Sequence, residues 1–262
     1  AYKTVDEYVK QFEIFADATP KGGTLIFCEE DDMAMMIASN QRTDVVQMHY
    51  PVHPYVVKNE ITYLKTDNGL VPLKIFGQHN MLNLNGARKL LSRIGITDEI
   101  FYEAISSFEG ASKRLQLLQE GRSTSVFLDF AHAPSKVEAT TSAFKERFNK
   151  RKLVACLELH TFSSLNKDFI NNYQDTLRAV DEACIYFNPK NNKQKAESKV
   201  NEQDVENAFN FHQLKVFTDV KNMENYLLNK SWADSNLLLM SSGHFGDMDL
   251  QDIANKIVDS VK

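Results

Sequence analysis

Val126-Phe127-Leu128-Asp129-Phe130-Ala131-His132-Ala133-Pro134-Ser135-Lys136-Val137-Glu138 is the stretch on which the fold turns. Its first three residues are uninterruptedly apolar, the mark of a strand buried on both faces rather than one that alternates between core and water. The run ends on Asp129. Pro134 and the Ser135-to-Glu138 spacing then predict a helix start, with proline where its missing N–H is not needed and a reciprocal capping box behind it. Strand, turn and helix in this order form half of a parallel α/β repeat.

The repeat continues downstream. Residues 153–159 read as the next strand, followed by a helix carrying Phe169, Ile170, Tyr173 and Leu177 on one face. Residues 183–187 give a third strand, and the polar stretch 188–200 reads as a mobile loop. Residues 214–217 and 237–240 supply two more strands, each with a helix after it. The last helix turns Leu250, Ile253, Ala254, Ile257 and Val261 inward. Apolar strands alternating with amphipathic helices imply a mostly parallel sheet covered on both sides.

Upstream the rhythm differs. Val5, Tyr8, Val9, Phe12 and Phe15 fall on one face of an opening helix that runs out near Pro20-Lys21-Gly22-Gly23. With no initiator methionine and no leading strand, the sequence reads as starting inside a domain. Residues 24–28 form a short apolar strand, and residues 45–75 are short strands punctuated by Pro51, Pro54 and Asp67-Asn68-Gly69. Asx-Gly between apolar runs is a hairpin signal, because glycine supplies the positive φ of the turn. Two helices follow, one over about 81–93, the other with Phe101, Ala104, Ile105 and Phe108 on one face. The fold class expected is α/β: a partial α+β domain over residues 1–112, then a Rossmann-like domain over 113–262.

The 262 residues carry a net charge of −5, with 43% hydrophobic and 25% charged residues. This argues against nucleic-acid and membrane-surface binding, which usually show a basic face. No apolar run approaches the ~20 residues of a membrane span. Cys28, Cys156 and Cys184 each sit in a strand-like run, which fits buried thiols in a reducing, cytoplasmic compartment.

Three segments can carry chemistry. Gly77-Gln78-His79-Asn80-Met81-Leu82-Asn83 leads into a helix whose first N–H groups are unpaired. Asn80 and Asn83 lie one turn apart, and a carboxamide offers the donor and acceptor that match an adenine edge; the same residues also read as an ordinary capped helix. Asp129 and His132 stand at the carboxyl end of a strand, where open α/β sheets bind ligands, or equally as a turn cap and a surface histidine. Ser241-Ser242-Gly243-His244-Phe245-Gly246-Asp247 offers small residues and free N–H groups after the last strand. Lys113-Arg114 lies at the domain junction, where a guanidinium could fork onto phosphate or simply be solvated. His49 and His53 have the four-residue spacing of a helical metal pair, but Pro51 and Pro54 forbid that helix, so no metal ligand is assigned. No Gly-x-x-x-x-Gly-Lys-[Ser/Thr] phosphate loop and no Gly-x-Gly-x-x-Gly dinucleotide fingerprint is present.

In order along the chain, these segments resemble the Mur ligases. Gly77-x-His79-Asn80-x-x-Asn83 is similar to that family's adenine-site motif, and Ser107-Phe108-x-Gly110 leading to Lys113-Arg114 to its inter-domain junction. Asp129-Phe130-Ala131-His132-Ala133-Pro134 resembles its Asp-Tyr-Ala-His-x-Pro signature, with Phe130 in the tyrosine position. Glu158-Leu159-His160 and Met240 to Gly246 look most like the murein-peptide recycling branch, with histidine at 160 where arginine is usual; the alanine-adding branch is next. The resemblance implies ligation of UDP-N-acetylmuramate to a peptide or amino acid through an acyl phosphate, driven by ATP with Mg²⁺. By it, His79, Asn80 and Asn83 hold the adenine end of ATP, Arg114 its phosphates and Asp129 the ribose. His132 lies near the reacting groups, and His160, Ser242 and His244 contact substrate. It also implies that the phosphate loop, the magnesium ligands, a modified lysine and the sugar-nucleotide domain lie upstream of Ala1, so that these residues alone do not ligate. A folylpolyglutamate- or cyanophycin-type ligase, a non-catalytic nucleotide-binding module and a dehydrogenase are the competing readings.

Overall fold

The computed structural model describes residues 2, 4–39, 42–191 and 198–261. Two compact units make up the chain, Ala1–Phe108 and Glu109–Lys262.

In the first unit, α1 (Val5–Asp17) is capped by Thr4, whose hydroxyl accepts from the Glu7 N–H. Its apolar face does not close: Val5, Tyr8, Phe12 and Phe15 all remain exposed. β1 (Thr24–Cys28) pairs in parallel with β2 (Val46–Tyr50). Between them lies α2 (Asp32–Ala38), an element the sequence reading passes over, capped by the Asp31 carboxylate on the Met33 and Ala34 N–H groups. β3 (Tyr55–Lys58), β4 (Ile61–Thr66) and β5 (Gly69–Leu73) form an antiparallel meander. The expected hairpin closes with Thr66 opposite Gly69, which stands at φ +115°. α3 (Gln78–Ser92) and α4 (Asp98–Ser106) complete the unit. Leu64, Leu73, Ile75, Met81, Leu84 and Phe101 form its core.

The second unit is built on a six-stranded sheet. Its strands in chain order are β6 (Gln116–Glu120), β7 (Ser125–Asp129), β8 (Lys152–Glu158), β9 (Glu182–Tyr186), β10 (Leu214–Phe217) and β11 (Ser235–Met240). Across the sheet they stand β10-β9-β8-β11-β7-β6, all parallel except β6, which runs antiparallel to β7 at the edge. β6 is a strand the sequence reading does not anticipate. β7 and β11 are buried at every position. Alternate residues face opposite ways, as pleating requires. Val126, Leu128, Val154, Cys156, Leu237 and Leu239 pack with residues of α8 (Val220–Leu228) and α9 (Leu250–Asp259). Phe127 turns the other way, onto Phe144 of α5 (Pro134–Arg147) and onto Phe148, at centroid distances of 5.0 and 5.8 Å.

Two local expectations are corrected. α5 starts at Pro134 with Ala133 at its N-cap and no side-chain cap bond, so Ser135 lies inside the first turn and no Ser135–Glu138 capping box forms. The helix expected through Leu177 is only α6 (Lys167–Ile170) with a 3₁₀ turn over Asn171–Tyr173, because Asp175 takes φ +64° and breaks the spiral. Ile170, Tyr173 and Leu177 are nevertheless buried. α7 (Glu202–Phe209), also not anticipated, carries a capping box between Asn201 and Asp204. Of the stretch read as a loop, residues 192–197 lie outside the described residues.

Phe144 is fully buried and holds α5 to the sheet. Phe144→Ala is expected to destabilise the second unit by about 3–5 kcal/mol, the usual cost of emptying a buried phenylalanine site. Denaturant unfolding followed by fluorescence of Trp232, the chain's one tryptophan, reads this directly, and a loss below about 1 kcal/mol would contradict the packing described.

Candidate functional site

Each unit carries a candidate site. In the first, Gly77 takes φ +89° as the N-cap of α3, which turns the chain from β5 into the helix with no side-chain cap. The helix therefore begins at Gln78, and His79, Asn80 and Asn83 all lie in its opening turns rather than ahead of it. Asn80 and Asn83 line one pocket of about 370 Å³ with Ile75, Leu84, Phe101 and Phe108. Asn80 donates one amide proton to the Phe76 carbonyl at 2.8 Å, which orients its carboxamide. Asn83 is exposed and half-buried His79 does not line the pocket. A largely apolar cavity with two carboxamides at its wall suits a flat, nitrogen-rich ring.

His49 and His53 go separate ways. His49 pairs with Glu29. His53 is buried between the Pro54 carbonyl at 3.0 Å and the Tyr102 hydroxyl at 2.8 Å. Burial lowers its affinity for a proton.

In the second unit the candidate residues meet at the carboxyl ends of β7, β11 and β8. β11 lies between the other two, with Met240 in register with both Asp129 and Leu157. The chain leaves β7 for β8, extends outward to β10 and returns to fill the gap, so the strand order reverses here, the place where open α/β sheets hold ligands.

Asp129 ends β7 and is 3% exposed. Its carboxylate accepts from the Leu115 and Ala131 N–H groups, both at 2.7 Å. Both oxygens are thus engaged inside the fold, with lone-pair capacity left on the carboxylate to accept a further donor. Phe130 projects from the strand end as a platform. The exposed Arg114 guanidinium lies 5.2 Å from its ring centroid, and the His132 ring meets its edge at 5.2 Å. The His132 Nδ1–H donates to the Phe130 carbonyl at 2.8 Å, which leaves Nε2 as the basic nitrogen of the neutral ring. Arg114 and His132 are therefore brought to one aromatic ring.

Glu158, at the end of β8, is a residue sequence reading quotes only as part of a resemblance. It is 5% exposed. Its Oε2 accepts from the Ser241 hydroxyl and, at 2.9 Å, from the Phe245 N–H. Ser241 Oγ in turn accepts from the Gly243 N–H at 2.7 Å. His160 Nδ1 stands 4.0 Å from the other carboxylate oxygen. Ser242 Oγ is buried without a hydrogen-bond partner among the described residues. His244 is exposed and lines a pocket of about 310 Å³ with Lys113, Ser241, Gly243 and Asp247. An acidic residue ending an otherwise apolar strand is the signal by which Glu158 could have been found.

Comparison with known proteins bears on this cluster. The family described as "Mur ligase, glutamate ligase domain" matches residues 113–243, from Lys113 to the Gly243 loop. A UDP-N-acetylmuramate–L-alanine ligase of Caldicellulosiruptor bescii is 26% identical over 199 residues, covering 70% of this chain and 43% of that protein. The solved UDP-N-acetylmuramate–alanine ligase of Thermotoga maritima superposes with a TM-score of 0.69 at 15% identity, over 98% of this chain and 55% of its own. A murein peptide ligase of Psychrobacter arcticus gives 0.59 at 17% identity, over 99% and 55%. The chain thus spans about half the length of these relatives.

Gly243 packs where no side chain fits: an added Cβ would lie 2.7 Å from Glu158 Oε2 and 2.9 Å from the His160 ring. Gly243→Ala is expected to displace the loop and cost about 1–3 kcal/mol, the range of forced overpacking. Amide shifts of residues 241–245 together with thermal unfolding check it; unchanged shifts and stability would show the loop is not seated on Glu158.

Proposed function

This chain belongs to the Mur ligase family, and from that premise we propose that it is the part of an ATP-dependent ligase that holds the adenine end of ATP and the incoming substrate. The reaction is amide-bond formation between UDP-N-acetylmuramate and an amino acid or peptide in cell-wall synthesis or recycling. A substrate carboxylate oxygen attacks the γ-phosphorus of ATP, ADP leaves, and an acyl phosphate forms. The amine then attacks the acyl carbon, and inorganic phosphate departs as the amide closes. A cytoplasmic location goes with that reading; no described helix is long and apolar enough to cross a membrane.

The observation that carries the nucleotide part is the pocket walled by Asn80 and Asn83. His79, Asn80 and Asn83 are assigned to the adenine end and Arg114, stacked 5.2 Å from the Phe130 ring centroid, to phosphate oxygens, which a guanidinium can bind bidentately. Asp129 is assigned to the ribose, whose hydroxyl would use the remaining lone pair of a carboxylate already bonded to the Leu115 and Ala131 N–H groups. His132 is assigned to the neighbourhood of the amine or the transferred phosphate, and the Nδ1–H bond to the Phe130 carbonyl, which leaves Nε2 as the basic nitrogen, supports a part in taking the amine's proton. His160, Ser242 and His244 are assigned as the substrate contacts, and the exposed, pocket-lining His244 is the strongest support among them. Among the described residues no three His, Cys, Asp or Glu side chains converge into a metal site. The described residues therefore do not build a protein cage for Mg²⁺.

The added group is a recovered peptide or L-alanine. Glu158-Leu159-His160 and the Gly243 loop favour the peptide, while the Caldicellulosiruptor relative carries the alanine-adding name.

Two outcomes test the reading. Titration with adenosine at millimolar concentration is expected to give saturable amide shifts around Asn80, Asn83 and Leu84, weakened about tenfold by Asn83→Ala, the loss of roughly one good hydrogen bond; shifts confined to other surfaces would contradict the assignment. The 262-residue chain supplied with ATP, Mg²⁺, UDP-N-acetylmuramate and either L-alanine or tripeptide is expected to release no phosphate, because it has no phosphate loop. Measurable ligation would overturn that expectation.

A further inference from the structure

We propose that Glu158 is a positioning residue: its buried carboxylate holds the loop after β11 in a strained shape that presents His244 to substrate. What the loop presents rests on the ligase reading; that Glu158 holds it does not.

Four observations converge. The carboxylate takes the Phe245 N–H at 2.9 Å and the Ser241 hydroxyl, so one side chain grips the loop at both ends. Phe245 is held at φ +48°, followed by Gly246 at +60° and Asp247 at +64°. Three successive left-handed residues, one of them a bulky aromatic, persist only where the surroundings impose them, and such strain collects at functional sites. Phe245 is itself fully buried against the sheet, so grip and packing act together. Between the gripped ends lie the unpartnered Ser242 hydroxyl and exposed His244.

A purely space-filling role would not need an ionisable group in so dry a place, where a charge is tolerated only with hydrogen bonds to satisfy it. The same device recurs two strands away: Asp129 accepts the N–H of Leu115, another bulky residue in the left-handed region, at φ +47°. The two acids end the strands that flank β11, and each fixes a kink in a loop beside it.

The test compares Glu158→Gln, which keeps an oxygen acceptor, with Glu158→Leu, which keeps bulk without one, in the 262-residue chain. Amide hydrogen exchange is read at Gly243 and Phe245 and, as the control, along β8 and β11. The Leu variant is expected to exchange about tenfold faster or more at Phe245, the loss of a hydrogen bond to a charged group, with strand protection unchanged. The Gln variant should stay within about threefold of the parent, less than the loss of one neutral hydrogen bond. Equal exchange at Phe245 in parent and Leu variant overturns the proposal, and so does a Gln variant as fast as the Leu variant. Should the Leu variant not fold, Ser241→Ala decides: faster exchange at Gly243 alone supports a direct hold by Glu158, and an equal rise at Phe245 overturns it. No substrate is needed, so failure of the clamp and failure of the ligase reading are told apart.

Discussion

A strand buried on both faces cannot carry polar side chains along its length, so whatever chemistry it contributes is forced to its ends. β7, β8 and β11 obey this constraint: polar only where they begin, at Ser125, Lys152 and Ser235-Asn236, they run apolar to Asp129, Glu158 and Ser241 and there place two carboxylates and a hydroxyl side by side. Because β11 returns between β7 and β8, residues more than a hundred positions apart in the chain arrive at one edge. The hydrogen bond from the Ser241 N–H to the Asp129 carbonyl and that from its hydroxyl to Glu158 tie the three strand ends together.

That arrangement separates two kinds of polar group. Asp129 and Glu158 are consumed by the protein, each satisfied by backbone donors that would otherwise be orphaned at strand ends. Arg114, His132, His160 and His244 stand outside them, on a platform or a loop that the buried acids fix. Precision at a ligand site depends on supporting groups that never meet the ligand, because side chains that must act on one are placed only as well as the backbone beneath them. The first unit differs in kind: its pocket is largely apolar, with two carboxamides from one helix face at the wall.

Much of this was legible in the sequence. Val126 to Asp129 declared a doubly buried strand, Asp67-Asn68-Gly69 declared the hairpin, and Asn80 and Asn83 declared a shared helix face, because each rests on residues close in sequence. The failures have the opposite character. Ser135 and Glu138 have capping-box spacing, yet Pro134 is pre-organised for the first turn and moves the N-cap back to Ala133. Phe169 to Leu177 has helical spacing, yet its apolar residues reach the core through turns around Asp175. The acidic cap of α2 and the amphipathic edge strand β6 gave weaker signals than the long apolar runs beside them. The grip of Glu158 on Phe245 was not legible, since it joins residues that only the sheet order makes neighbours.

The most direct test of the nucleotide assignment is photolabelling with 2-azidoadenosine, followed by mapping of the modified peptides. The account predicts label within residues 75–108, on the side chains around Asn80 and Asn83, suppressed by excess ATP. Label that ATP does not displace, or that falls outside those residues, would contradict it.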